Sequence, residues 1–133
     1  EFLVVGRNTC RKECAVLAER IRARVAAHEF RLDDGTVLRR TCSVGFASYP
    51  VVGSTPDHVE WEQVVDLADQ ALYAAKLGGR NAWVGLVARD DLGADAITRS
   101  PAQELAALVE RGDFEVRTSL PDASSLSWKA HKD

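Results

Sequence analysis

The chain has 133 residues, of which 46% are hydrophobic and 28% charged, and its formal net charge is −3. This length suits one domain, or one domain with an appendage, and the composition is ordinary for a globular protein with a core. The negative charge gives no reason to expect binding to long nucleic acid, although a local cationic pocket is compatible with it. No apolar run approaches the roughly 20 residues that span a bilayer, and no secretory signal opens the chain, so we expect a cytoplasmic location.

The chain has three cysteines, Cys10, Cys14 and Cys42. This number is odd and low for the length of the chain, so we expect no disulfide framework. Cys10 and Cys14 lie four residues apart on a predicted helix and would share a face. Because no further ligands stand at metal-binding spacing, we expect buried, reduced thiols. The sequence has no methionine and begins Glu-Phe-Leu-Val-Val, from which we expect that it is part of a longer chain.

The first third of the chain predicts a strand, a helix and a hairpin. Residues 2–6 are a short apolar run, which is typical of a buried strand. Residues 9–28 have helical apolar spacing, with Thr9 as the expected N-cap. Residues 30–38 contain an Asp-Asp-Gly turn signal at 33–35 and predict a small hairpin.

A second strand, helix and strand follow. Residues 40–49 alternate between apolar and small polar side chains, as in a strand. Residues 60–77 predict a strong helix that two glycines, Gly78 and Gly79, bring to an end. Residues 82–87 predict the next strand, so the order is that of an α/β protein whose helices cover a sheet of mixed strand direction.

The remaining residues carry weaker signals. Residues 89–100 resemble a linker, and residues 101–111 predict a short helix with Ser100 as its cap and proline at its first position. Residues 114–120 alternate like a strand. The last dozen residues, rich in serine and lysine, predict a frayed tail.

Four polar residues of the second helix share a helical spacing. The residues follow one another at intervals of four, three and four positions, and they are Asp69, Tyr73, Lys76 and Arg80. A helix continued through its last turn places all four along one side, with the two cations adjacent at the C-terminal end. One interpretation is a phosphate clamp, formed by lysine as a point charge and arginine as a planar fork. The other is that the helix dipole favours basic residues there, and the spacing does not decide between them.

This helix and three other segments resemble the GGDEF domain family. Residues 68–81 match the family pattern A-D-x-A-L-Y-x-A-K-x-x-G-R-N at all ten specified positions. Residues 41–45 resemble the family's T-x-S-[IV]-G strand, and residues 18–22 resemble its A-E-x-[IL]-R helix. Glu1 and Phe2 then fit the last two residues of the GG[DE]EF signature, at the right distance from the other segments.

The resemblance extends over about residues 1–86 and implies an α/β (α+β) fold of the nucleotide-cyclase or palm-like type. In that fold, a mixed and largely antiparallel sheet is covered by helices. Residues 1–88 are then expected to be the C-terminal portion of a GGDEF domain that is incomplete at its N-terminus. Residues 89–133 are expected to be an extension without a motif, which either packs back on the domain or leads into a further element.

Family members join two GTP molecules into cyclic di-GMP and release pyrophosphate, for bacterial second-messenger signalling. The resemblance therefore implies a diguanylate cyclase, a nucleotidyltransferase, in the parent protein. It implies that Lys76 and Arg80 bind the GTP phosphates and that Glu1, the second acidic residue of the signature, belongs to the catalytic hairpin.

Other positions inherit secondary roles from the resemblance. Arg20 matches an arginine that in some members contacts cyclic di-GMP during product inhibition. Asp69, Tyr73 and Asn81 are expected to support the site structurally.

The resemblance also implies Mg²⁺ or Mn²⁺ in the complete domain. Its carboxylate ligands and the inhibitory R-x-x-D motif are expected before Glu1, so we expect no metal site within this chain and no activity from residues 1–133 alone. The family works as a homodimer, usually assembled by an N-terminal sensory or receiver region. Through such a region the parent protein could be anchored to a membrane.

Two alternatives remain open at the level of sequence. The first is a degenerate GGDEF domain that binds GTP or cyclic di-GMP as a regulatory module without synthesis. The second is an unrelated α/β interaction domain that shares the helix spacing by chance. The second alternative predicts that replacing Lys76 and Arg80 by alanine leaves nucleotide binding unchanged.

Overall fold

The computed structural model describes residues 1–130, which form a sheet with helices on both faces. In chain order the elements are α1 (Cys14–Ala27), β1 (Phe30–Arg31), β2 (Val37–Leu38), β3 (Val44–Ala47), α2 (Trp61–Leu77), β4 (Trp83–Ala88), α3 (Leu105–Glu110) and β5 (Phe114–Thr118). Within this part of the chain, no helix combines the length and the apolar character needed to cross a membrane.

The larger of two sheets is mixed and has three strands in the order β3-β4-β5. Strand β3 runs parallel to β4, and β5 runs antiparallel to β4. Strands β1 and β2 form a separate antiparallel hairpin. Two of the three strand pairs are therefore antiparallel, and helices cover the sheet, which confirms the predicted α/β class with a mixed, largely antiparallel sheet.

Helix α2 begins and ends where the sequence predicts. Its N-cap, Glu60, forms a capping box with Gln63, in which each side chain bonds the backbone of the other residue. Its apolar face, including Leu67 and Ala71, is fully buried against the sheet. The helix is therefore fixed by a local cap and by tertiary packing along its length.

Gly45 in β3 lets α2 lie directly on the sheet. A Cβ atom at this position would stand 2.1 Å from the backbone nitrogen of Leu72 and 2.3 Å from the carbonyl oxygen of Ala68. These are backbone atoms of a helix and do not move aside as a flexible side chain would. The glycine therefore sets the distance between β3 and α2.

The main core lies between the sheet and the helices α2 and α3. Strand β4 contributes Val84 and Leu86, and α3 contributes Leu105 and Leu108, all of them buried. Helix α1 covers the opposite face, since the indole of Trp83, next to Val84 in the strand, donates to Glu19 of α1. Successive strand residues point to opposite faces, so α1 and α2 belong to different layers.

The prediction of a buried strand at residues 2–6 is wrong. These residues have no regular structure, and the side chains of Phe2, Leu3, Val4 and Val5 are largely exposed. Among the described residues, no strand lies beside this run to take up its backbone hydrogen bonds. An apolar run predicts burial, but it forms a strand only where a neighbouring strand is available.

The prediction that α1 starts at Thr9 is also wrong, since the helix starts at Cys14. The carboxylate of Glu13 accepts the backbone N–H of Cys10, and this local bond holds the preceding residues in a turn. Cys10 therefore lies outside the helix and does not share a face with Cys14. All three thiols are free as expected, but Cys10 is exposed and the other two are only half-buried, so their predicted burial is wrong.

The residues after β4 pack back on the domain. The predicted strand at residues 114–120 forms as β5, from Phe114 to Thr118, and pairs with β4. Helix α3 begins at Leu105, four residues later than expected. The carbonyl of Ser100 accepts amides from the intervening residues in a turn instead.

The predicted frayed tail is wrong for residues 126–129. Leu126 and Trp128 pack against the core, and Lys129 is hydrogen-bonded to α2. Residues 131–133, which the same prediction included, lie outside the described residues.

The contact at Gly45 yields a stability prediction. Gly45→Ala is expected to lower the free energy of unfolding by about 2–3 kcal/mol or more, because the added methyl group overlaps helix backbone. Chemical denaturation measures the difference. Gly53→Ala is the matched control, since a Cβ there meets nothing within 4 Å. Equal effects of the two substitutions would contradict the proposed role of Gly45.

Candidate phosphate-binding site

Lys76 and Glu1 meet at the C-terminal end of α2. The Lys76 ammonium donates to a carboxylate oxygen of Glu1 at 2.9 Å. The two residues are 75 positions apart in the chain, and both side chains are substantially exposed, at 37% and 68%. The structure therefore brings together the sequence-predicted catalytic acid and the first of the two predicted phosphate-binding cations.

The ion pair changes the acidity of Glu1. The hydrogen bond from Lys76, and then its positive charge, lower the pKa of the Glu1 carboxyl below its usual range. The positive charge of Lys129 acts in the same direction, more weakly. Glu1 therefore stays ionised to more acidic pH than a free glutamate.

The chain leaves α2 through three residues with positive φ. The helix ends at Leu77, and Gly79, Arg80 and Asn81 then have φ values of 130°, 62° and 45°. Glycine takes this conformation without strain and asparagine tolerates it, whereas it is uncommon for arginine. The amide of Arg80 donates to the carbonyl of Ala75 at 3.1 Å, which holds the exit against the last helical turn.

The helix does not continue through Arg80, so the expected four-residue stripe on one helix ends at Lys76. The glycine pair stops the helix first, because Gly79 turns the backbone out of the helical region. The Arg80 side chain is exposed and forms no hydrogen bond or ion pair with residues 1–130. Its guanidinium is therefore accessible to a ligand at this end of the helix.

A side-chain network from α1 supports the exit turn. Arg22 forms two hydrogen bonds with the Glu19 carboxylate and donates to Asn81 Oδ1 at 2.8 Å. The indole of Trp83 also donates to Glu19 at 2.9 Å. Asn81 is therefore held on one side by α1, and the turn that carries Arg80 is held with it.

Sequence reasoning missed the roles of Glu19 and Arg22. A signal was present, because both residues are specified in the A-E-x-[IL]-R pattern and stand three positions apart on a helix. Arg20, which the resemblance assigned to product inhibition, lies between them. It is exposed and pairs with no other residue in the described part of the chain.

The two other predicted supporting residues of α2, Asp69 and Tyr73, contact the end of the described chain. The ammonium of Lys129 forms an ion pair with Asp69 and lies 5.7 Å from the centroid of the Tyr73 ring. The side chain of Gln70 bonds both backbone groups of Lys129, accepting its N–H at 2.7 Å and donating to its carbonyl at 3.4 Å.

The described residues do not by themselves fit a divalent metal. Within residues 1–130, no three histidine, cysteine, aspartate or glutamate side chains are grouped as metal ligands would be. Glu1 and Asp69 are each paired with a lysine.

Together, Lys76 and Arg80 are suited to bind phosphate oxygens. Both are cations at the end of a helix, and neither is enclosed by the rest of the described chain. An exposed ion pair such as Lys76–Glu1 contributes little to stability, so a polyphosphate can compete for the lysine.

The ion pair predicts a pH dependence. Because the pKa of Glu1 is lowered, the pair is present at neutral pH and is lost as the pH falls through that lowered value. In Lys76→Ala, the Glu1 pKa is expected to rise toward its usual range. The carboxylate ¹³C shift of Glu1, followed by NMR through an acid titration, measures both values. As a control, Lys12→Ala removes a lysine that does not affect Glu1 and is expected to leave the titration unchanged. If Glu1 titrates in Lys76→Ala as it does in the unmodified chain, no ion pair forms.

Comparison with known proteins identifies the family. A family model described as "Diguanylate cyclase, GGDEF domain" matches residues 1–82. The diguanylate cyclase DosC of Escherichia coli (strain K12) is 33% identical over 81 residues, which are 61% of this chain and 16% of DosC. The response regulator PleD of Caulobacter vibrioides (strain NA1000 / CB15N) is 36% identical over 89 residues, which are 66% of this chain and 18% of PleD.

The chain thus spans less than a fifth of the length of these curated relatives. No solved structure matches it at a significant level. The family match extends over more than half of the 133 residues and includes Glu1, Lys76 and Asn81. This chain belongs to the GGDEF domain family of diguanylate cyclases.

Proposed function

We propose that this chain is part of a diguanylate cyclase that condenses two GTP molecules into cyclic di-GMP and releases pyrophosphate. The observation that carries the proposal is the ion pair between Lys76 and Glu1, which joins two motifs of the family in space. Glu1 matches the end of the family signature, and Lys76, 75 positions later, lies in the family's helix pattern. Their contact supports one site formed by both motifs.

In this proposal, Lys76 and Arg80 bind the phosphates of GTP. The reaction forms a bond from a ribose 3′-oxygen to the α-phosphorus of the other GTP and breaks the bond between that phosphorus and the bridging oxygen of pyrophosphate. The leaving group gains negative charge as this bond breaks. Fixed cations beside it stabilise the transition state more than the ground state, and so they accelerate the reaction.

Asn81 and Arg22 act indirectly in this scheme. They hold the turn that presents Arg80, and so they contribute position rather than charge at the phosphates. Asp69 and Tyr73 are assigned to structural support, through their contacts with Lys129. For Arg20, the exposed position on α1 leaves the guanidinium accessible, and we retain contact with cyclic di-GMP as its proposed role.

The proposal extends to what the domain needs from outside these residues. Mg²⁺ or Mn²⁺ is expected to neutralise phosphate charge, with ligands from residues before Glu1. Two GTP molecules must meet, so we propose a homodimer with two sites face to face. The name "response regulator" of the relative PleD supports an N-terminal receiver or sensory region that controls this assembly. We place the activity in the cytoplasm, where the substrate GTP is available.

The direct test is cyclic di-GMP formation from GTP and Mg²⁺ by the parent protein. Lys76→Ala is expected to lower kcat/KM by about 10²- to 10³-fold, since it removes one preorganised positive group from the leaving pyrophosphate. Lys12→Ala, which removes an exposed lysine in the turn before α1, is the matched control and is expected to retain full activity. Residues 1–133 alone are expected to form no product in the same assay, because the proposed metal ligands are not among them.

Two results would overturn the proposal. If the parent protein binds GTP or cyclic di-GMP but forms no product, the domain is a regulatory binding module. If Lys76→Ala retains the activity of the control, the phosphates do not bind at the end of α2.

A further inference from the structure

The residues that follow β5 reach α2 and are held there by apolar packing and hydrogen bonds. Leu126 and Trp128 are partly buried against the core, and Lys129 is fixed by its backbone. The family match ends at residue 82, so this segment lies outside the part of the chain that the family describes. We call residues 126–129 the docked segment.

Gln70 fixes the docked segment on the helix. Its side chain is 98% buried and bonds the N–H and the carbonyl of Lys129. A side-chain amide that pairs with both groups of one residue fixes the direction of the backbone as a neighbouring strand would. The buried position of Gln70 makes this geometry costly to lose, because its polar atoms would then be left without these partners.

The docked segment places the Lys129 ammonium on the face that bears Lys76. The ammonium lies 5.7 Å from the centroid of the Tyr73 ring, and Tyr73 precedes Lys76 by three positions, so their side chains are neighbours on the helix surface. The positive charge of Lys129 also contributes to the lowered pKa of Glu1, the partner of Lys76.

Both lysines form ion pairs with carboxylates that a phosphate group can replace. The side chains of Lys129 and Asp69 are 41% and 44% exposed, and those of Lys76 and Glu1 are 37% and 68% exposed. Exposed pairs of this kind contribute little to stability. A polyphosphate offers several negative charges in place of one and can attract both ammonium groups, each at the end of a flexible four-carbon chain.

We propose that Lys129 is a third cation of the phosphate-binding site and binds the polyphosphate of the nucleotide together with Lys76 and Arg80. This inference rests on the proposed function, since it assigns a further ligand-binding residue to the same site. It makes residues beyond the family match part of the substrate-binding surface. Gln70 is then a positioning residue, which acts through the backbone of Lys129.

The test is an NMR titration of the 133-residue chain with inorganic tripolyphosphate at low ionic strength. This probe carries the phosphate chain without guanine, and the amide shifts of Arg80, Asn81 and Lys129 report binding at the site. Lys129→Ala is expected to weaken binding about tenfold, in line with the loss of one charge-assisted contact. Lys129→Arg is expected to retain most of the affinity, because the charge remains in place.

Three further variants separate the possible causes. Lys12→Ala carries the same loss of charge elsewhere on the surface and is expected to leave the affinity within about twofold, since distant exposed charges are screened. Gln70→Leu keeps Lys129 but releases its backbone, and is expected to weaken binding as Lys129→Ala does. Lys76→Ala tests the proposed clamp itself.

The outcomes are distinct. If Lys76→Ala weakens binding while Lys129→Ala leaves it unchanged or makes it tighter, the inference about Lys129 is overturned and the proposed function stands. Tighter binding would mean that the docked segment obstructs the site. If neither substitution differs from Lys12→Ala, both the phosphate clamp and its third cation are overturned.

Discussion

The position of α2 depends on Gly45, because the space that a side chain would need there is already filled by the backbone of Ala68 and Leu72. The contact joins two segments that the family patterns specify separately, the strand at residues 41–45 and the helix at residues 68–81. The two family patterns therefore contain the residues on the two sides of one close contact. With α2 at this distance from β3, its apolar face fills the core along the whole helix, including the last turn.

The candidate site lies at the C-terminal end of α2. Lys76 lies in the last turn, and the left-handed residues that follow turn the chain away from the helix and present Arg80. Helix α1, on the other face of the sheet, supports this turn through Arg22 and Asn81. The helices of two layers therefore determine one exposed cationic surface, while the residues that bear its charge contribute little to the core.

The sequence predicts elements whose signals are local. Helix α2 carries its own cap and its own glycine stop, and β4 and β5 show their apolar pattern within five or six residues. Contacts between distant segments leave no such trace: residues 2–6 are apolar but lack a described neighbouring strand, and Gln70 binds the backbone of a residue 59 positions away. The sequence predicts the end of α2 but not the position of Arg80, because helical spacing does not extend past Gly79, where the positive φ ends the helical geometry.

In the proposed function, the end of α2 binds the phosphates of GTP. A crystal structure of the parent protein with a slowly reacting GTP analogue tests this claim most directly. The expected result is that the Lys76 ammonium and the Arg80 guanidinium lie within about 3 Å of phosphate oxygens, a distance typical of charge-assisted hydrogen bonds. Phosphates bound elsewhere, with Lys76 still paired to Glu1, would contradict it.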